Sequence, residues 1–232
     1  NAFSNLDGEV LLYWTDDFNP PRKINVQRAI LHNQGDFTSG YGANFSSGTN
    51  AQKAIYYDAV KHPPLNPLSF DFGIDPSRAT NNIAGKVFQF RYRYIFDDGE
   101  RSAYSPWSKL AISDKERLND SIDSNSYDST YNNVEITYET SDANNVVEIE
   151  FTFREGNTGD ERLFATRSND ALLPVLNFYN DTDSPLVNTA DSTKLYDAVP
   201  LLSQSQEIKD NVLFYGNTVD GFDLPTTTTG TK

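Results

Sequence analysis

Between Lys86 and Phe96 the chain alternates without interruption, and that pattern restricts the fold more than any other feature. Phe88, Phe90, Tyr92, Tyr94 and Phe96 fall at every second position, with Val87, Gln89, Arg91, Arg93 and Ile95 between them. Strand side chains point alternately to two faces, whereas a helix would scatter these aromatics around its circumference. The segment therefore reads as a strand with an aromatic face for a core and a second face carrying two arginines. Asp97-Asp98-Gly99-Glu100 then reverses the chain, and Ser102 to Ile112 returns as a partner strand. Pro106 interrupts that return. Proline donates nothing to a ladder, so the returning strand is expected at an edge or with a bulge.

The same alternation recurs. Val134, Ile136 and Tyr138 alternate with Glu135, Thr137 and Glu139. After residues 141–145, Val147, Ile149, Phe151 and Phe153 alternate with Glu148, Glu150, Thr152 and Arg154. The two runs predict a hairpin with one apolar face and one wet acidic face. Further strands are expected at Glu9–Trp14, Lys23–Val26, Arg162–Arg167, Asn177–Tyr179 and Val212–Tyr215. Thr15 to Pro21 is a turn cluster: Asp16, Asp17 and Asn19 set it, and Pro20-Pro21 stiffens the exit. Residues 33–50 read as an exposed loop, and 51–60 as a short helix, with strand as the alternative over 54–57. Residues 62–67 read as a rigid extended stretch.

Composition supports a β-rich chain that buries its aromatics. With 15 Phe, 13 Tyr and 2 Trp, large apolar bodies supply a core although only 37% of residues are hydrophobic. The formal net charge of −14 opposes nucleic-acid backbones and anionic membrane surfaces, and no basic run exceeds Arg22-Lys23. No apolar run reaches the length of a membrane span, so no membrane insertion is expected. The absence of cysteine excludes disulfides, thiolate metal sites and cysteine nucleophiles. There is no methionine either, and the chain opens on Asn1, so it is expected to be a cleavage product or part of a longer product.

Catalytic signatures are sparse, and no enzyme activity, cofactor or metal is expected. His32 and His62 both lie in loop-like sequence and read as surface or structural side chains. No nucleophile elbow or phosphate-binding glycine loop occurs. With 33 Asp and Glu, a close carboxylate pair carries no information about glycoside hydrolysis. Asp120, Asp123, Asn125 and Asp128 are spaced like loose calcium ligands but lack the glycine and terminal glutamate of an EF-hand loop. They read as part of a solvated linker, with calcium binding at the junction as the lesser alternative.

Two resemblances add to this reading. The run Phe88 to Tyr94, then Asp98-Gly99-Glu100, then Ser105-Pro106-Trp107-Ser108, resembles the last hairpin of a fibronectin type III domain. That resemblance implies that Trp107 stacks between the guanidiniums of Arg91 and Arg93. A second resemblance runs through most of the chain: Leu12 to Val26, Gln89 to Pro106, Val147 to Glu155, and Leu195 to Pro200 followed by Asn211 to Asn217. In that order these segments resemble large tail proteins (tail, stabilisation or muzzle type) of crAss-like and related phages of Bacteroidetes.

Together these observations imply two consecutive antiparallel β-sandwich domains of fibronectin III or immunoglobulin type, with long loops and little helix. The expected boundaries are 1–113 for the first domain, 114–133 for a linker, 134–223 for the second, and 224–232 for a tail. The phage resemblance implies a virion structural protein of the tail, at the collar, nozzle or fibre attachment, assembled in the host cytoplasm. Its partners would be other tail proteins and copies of itself in a ring, with no nucleic acid. Trp14, Asp16, Asp17, Arg22, Lys23, Arg91, Arg93 and Trp107 are the expected interaction residues. The alternative is a surface adhesin or carbohydrate-binding module in which Tyr41, Tyr56, Tyr57 and Trp107 stack on sugars.

Overall fold

The computed structural model describes residues 2–4, 8–36, 53, 56–112, 131–141, 143, 145–169, 174–194, 197, 199–210 and 212–220. These residues are mainly β, in several antiparallel sheets. In chain order the elements are β1 (Ala2–Ser4), β2 (Val10–Trp14), β3 (Arg22–Asn25), α1 (Val26–Asn33), β4 (Ser69–Gly73), β5 (Phe88–Phe96), β6 (Asn133–Thr137), β7 (Val146–Glu155), β8 (Arg162–Ser168), β9 (Val175–Phe178), α2 (Thr189–Ser192), β10 (Leu202–Lys209) and β11 (Val212–Val219). They divide into two compact units. The first comprises Asn1–His62, Asp142–Asn145 and Leu195–Lys232; the second comprises Pro63–Ser141 and Val146–Lys194.

This division corrects the expected boundaries. The second unit begins at Pro63, inside the expected first domain, and the first unit resumes at Leu195, inside the expected second, so the units are not consecutive. Strands on either side of 114–133 pair with each other, β4 with β6 and β5 with β7. An acidic, Ser/Asn-rich stretch resembles a linker in composition, but hydrogen-bonded ladders spanning it show that it separates strands of one unit. Its residues 113–130, with the carboxylates at 120, 123 and 128, lie outside the described residues, as does the tail at 224–232.

In the first unit, β1, β2 and β3 form a three-stranded antiparallel sheet, and β10 and β11 form a two-stranded ribbon. The β3 strand ends one residue earlier than expected because Asn25 caps a helix: its side chain accepts from the backbone N–H of Arg28 at 3.1 Å. Helix α1 thus occupies residues read as the end of a strand and the start of a loop. His32 sits in its last turn, not in a loop. Of residues 51–60, Lys53, Tyr56 and Tyr57 are helical.

The second unit holds two three-stranded sheets, ordered β4-β6-β9 and β5-β7-β8. Their inner faces meet through aromatic rings. Phe178 on β9 is the hub, with ring centroids 5.1 Å from Phe88, 5.0 Å from Phe90, 4.8 Å from Phe153 and 5.0 Å from Phe164. Tyr138 meets Phe151 edge-on at 4.6 Å. The five in-phase aromatics of β5 are all buried, as their spacing predicts. Edge-to-face rings gain from their quadrupoles as well as from burial.

Two other expectations are corrected here. β6 and β7 are not a hairpin; they belong to different sheets. Alternation shows which residues face a core, but it does not choose a partner strand. Nor is the acidic face of β7 uniformly wet: Glu148 is exposed, whereas Glu150 is buried against Arg93.

Replacing Phe178 with alanine removes the ring that four others contact. Urea unfolding should show a loss of about 3–5 kcal/mol. Val175→Ala, at an exposed position on the same strand, should stay within about 0.5 kcal/mol.

Candidate functional site

Among the described residues, the outer face of the β5-β7-β8 sheet carries a dense group of charged and aromatic side chains. Register places Gln89 opposite Arg154, Arg91 opposite Thr152 and Arg93 opposite Glu150. An extended strap, residues 101–111, then lies along the free edge of β5.

The strap is not the strand expected for it. Ser102, Ser105, Ser108 and Ala111 donate backbone N–H groups to the carbonyls of Tyr94, Tyr92, Phe90 and Phe88, at 3.0, 2.8, 2.8 and 2.7 Å. The Oγ atoms of the three serines accept in turn from the N–H groups of Tyr94, Tyr92 and Phe90. Every third strap residue therefore meets every second residue of β5. Two strand residues span about 6.8 Å, so the strap rises only about 2.3 Å per residue and coils as it runs. Pro106 falls between bonded positions, so its missing N–H costs no hydrogen bond, which is how a proline fits here.

The period of three also sets which side chains share a side. Tyr104 and Trp107 project over the sheet and interleave with its arginines. The guanidinium of Arg93 lies 4.5 Å from the Tyr104 ring, and that of Arg91 lies 4.3 Å from Tyr104 and 4.4 Å from Trp107. Arg154 covers Trp107 at 4.0 Å. The order is thus Arg93, Tyr104, Arg91, Trp107, Arg154. Trp107 does stack between two guanidiniums, but they belong to Arg91 and Arg154; Tyr104 occupies the space between Arg91 and Arg93. Each desolvated cation–π contact contributes up to about 2 kcal/mol.

Carboxylates neutralise the inner rungs. Arg91 donates to Glu161 through Nε at 2.7 Å and again through Nη2, a two-point pairing. Glu161 also accepts from the hydroxyls of Thr152 at 2.6 Å and Ser192. Arg93 donates to Glu150 at 2.6 Å and to Asp191 at 3.2 Å, and Arg101 reaches the other oxygen of Glu150 at 3.1 Å. Arg154 donates to Gln89 at 2.7 and 3.1 Å. Burial alone would push the Glu161 carboxyl up. The hydrogen bonds from Arg91, Ser192 and Thr152, with the charge of Arg91, outweigh it and hold the carboxyl below the usual glutamate range.

Arg91 and Arg93 are only 7% and 5% exposed, so they brace the strap and are closed to a partner. Trp107 is half-buried. The other expected interaction residues lie in the first unit. Trp14 ends β2 opposite Arg22, and Lys23 pairs in register with Tyr13. The Asp16 carboxylate accepts from the backbone N–H groups of Phe18 and Asn19 at 3.0 and 2.7 Å, and from the Asn19 amide at 2.7 Å. These bonds, led by the one from the Asn19 backbone, hold its carboxyl below the usual aspartate range. Asp17 adopts a left-handed φ of 58° and accepts from Gln204 at 3.0 Å. The resulting stiff turn holds Phe18 out, 85% exposed. Arg22 donates to Asn19 at 3.0 Å and lies 3.9 Å from Asp58, which also pairs with His62 at 3.1 Å.

The sugar-stacking residues are poorly placed for that role. Tyr56 is buried, Tyr57 half-buried, and Trp107 has a guanidinium at both Arg91 and Arg154. Tyr41 lies outside the described residues. Sequence reasoning missed Tyr104, Arg154, Glu150 and Glu161. The first was readable, because Ser102, Ser105 and Ser108 repeat every three residues with an aromatic before two of them. Glu161 immediately precedes β8, and nothing local marks it as the partner of Arg91. No protein-family model and no curated protein matches the chain.

Trp107→Ala should destabilise the protein by about 2–4 kcal/mol in urea unfolding, through two lost cation contacts and lost packing. Trp107→Phe should recover part of that loss. Glu161→Gln should cost about 3 kcal/mol at neutral pH, because a buried arginine loses its counter-charge. A carboxyl depressed by folding stabilises above its unfolded value and loses that contribution as pH falls through its folded value. The gap between wild type and Glu161→Gln should therefore narrow in unfolding curves taken below about pH 4.3.

Proposed function

We propose that this chain is a structural component of the tail of a tailed bacteriophage, in the collar, nozzle or fibre-attachment region, and acts by protein–protein docking. The reading rests on the resemblance of four ordered stretches of the sequence to tail proteins of crAss-like phages. Three of the four similar segments correspond to framework. Leu12–Val26 covers the second half of β2, the turn fixed by Asp16, and β3; Gln89–Pro106 covers nearly all of β5 and half the strap; Val147–Glu155 is nearly all of β7. Such segments preserve shape, which is what docking requires.

The chemistry of the ladder agrees with a mechanical role. Arg91, Arg93, Glu150 and Glu161 are spent on fixing a strap to a sheet, through the hydrogen bonds and ring contacts described above. A fibronectin III-like sandwich is the finer fold proposed for the second unit. Its hairpin of β5 and strap corresponds to the one that closes that fold, yet here β6 to β9 follow it in the same two sheets. Copies of the chain and neighbouring tail proteins are the proposed partners, with shape and many weak contacts holding them.

Mass spectrometry of purified phage particles tests the assignment. Peptides from this chain should be present at a fixed ratio to the major tail proteins. Their absence, or a ratio that varies between preparations, would remove the assignment.

A further inference from the structure

The outer face of the β4-β6-β9 sheet brings oxygens together without a cation to balance them. No lysine or arginine occurs in any of the three strands. Register places Asp71 of β4 directly opposite Glu135 of β6, and Glu135 opposite Asn177 of β9. Like charges facing each other across a ladder are destabilising. Among the described residues neither carboxylate has a cationic partner.

A second observation points into the same place. Asn133, two positions before Glu135 on the same face of β6, is only 3% exposed, and its Oδ1 has no hydrogen-bond partner. A buried amide oxygen in that state has given up its hydration for nothing. Asn133 Nδ2 donates to Asn177 Oδ1 at 3.3 Å. Opposite Asn133 on β4 stands Gly73. A Cβ at that position would meet Asn133 Oδ1 at 2.5 Å and Glu135 Oε1 at 2.7 Å. Two electronegative atoms from different side chains thus converge where glycine leaves the space open.

We propose that this face binds one calcium ion, held by the carboxylates of Asp71 and Glu135 and the amide oxygens of Asn133 and Asn177, with water completing the shell. The donor set selects the ion. It is all oxygen, which suits a hard cation, whereas zinc favours nitrogen and sulfur. Calcium accepts six to eight oxygens in loose geometry, but magnesium demands a near-ideal octahedron at shorter distances. Side chains drawn from three neighbouring strands fit the larger, more tolerant ion. Asn177 Oδ1 keeps a lone pair for it after accepting from Asn133. Among the described residues no three His, Asp or Glu side chains are placed to share a metal, so the carboxylates number two and the amides supply the rest. So small a charge places the affinity at the weak end, with Kd about 0.1–1 mM. Nothing in the local sequence marks the site, because its residues meet only through register.

Urea unfolding of the whole chain, at constant ionic strength, tests the site in EDTA, calcium chloride and magnesium chloride. About 10 mM calcium should raise the folded-to-unfolded ratio about 10- to 100-fold, and magnesium should do less. Asp71→Asn and Glu135→Gln should each cut the calcium gain at least fivefold. In EDTA both should be no less stable than wild type, because each removes a like-charge repulsion. Glu148→Gln, at an exposed position on the other sheet, should keep the full gain, as should Asp120→Asn and Asp123→Asn.

A wild type that gains nothing from calcium overturns the site, and an equal gain from magnesium overturns the choice of ion. A gain that survives both Asp71→Asn and Glu135→Gln is diffuse attraction to a chain of net charge −14 and overturns it too. So does a gain lost in Asp120→Asn or Asp123→Asn instead, which moves the ion to that segment. If Asp71→Asn and Glu135→Gln lose as much stability in EDTA as in calcium, their role is structural alone and the site falls. All of these outcomes are read on the isolated chain and leave the tail assignment to its own test.

Discussion

Burying a guanidinium costs several kcal/mol unless a carboxylate and further hydrogen bonds compensate it, and the second unit is arranged around meeting that requirement twice. Arg91 and Arg93 are carried to the outer face of β5 by the same alternation that sends five aromatics into the core. They cannot be moved elsewhere without flipping the aromatics outward, because the side-chain period is two. The structure therefore brings cover to the arginines. The strap supplies aromatic faces, β7 supplies Glu150, the turn before β8 supplies Glu161, and the segment around α2 supplies Asp191 and Ser192.

That arrangement also solves an edge problem. β5 would otherwise expose a long row of backbone groups next to its aromatic side chains. Three serines, spaced three apart, occupy both the donors and the acceptors of that row. A regular strand could not include Pro106 at an interior pairing position. A coil advancing three residues for every two of β5 can, because only every third N–H is used. Local chemistry that looks like a defect in a strand is thus consistent with a different ladder.

The first unit is built more sparingly. Its turn at residues 16–19 is fixed by an aspartate that satisfies three donors, and Thr15 and Asp17 tie that turn to Ser203 and Gln204 of β10. Few of its apolar side chains are deeply buried among the described residues; Tyr56, Ala59 and Val60 are the main ones outside the 142–145 segment.

Short-range pattern in the sequence was enough to place the strands at β2, β3, β5, β6, β7 and β8, the faces of β5, and the turn at Asp16, since side-chain period and turn chemistry act over a few residues. It was not enough for β1, β4 and β10, whose short or polar runs carry no clear period, nor for α1, whose signal is one capping asparagine. Pairing was decided only by the folded chain. Which strand lies beside which depends on closing loops tens of residues long, and many pairings satisfy the same alternation. For that reason β7 joined β5 rather than β6, the supposed linker fell within one unit, and Trp107 came to rest between Arg91 and Arg154, a residue distant in sequence that only the β5–β7 register brings to its side.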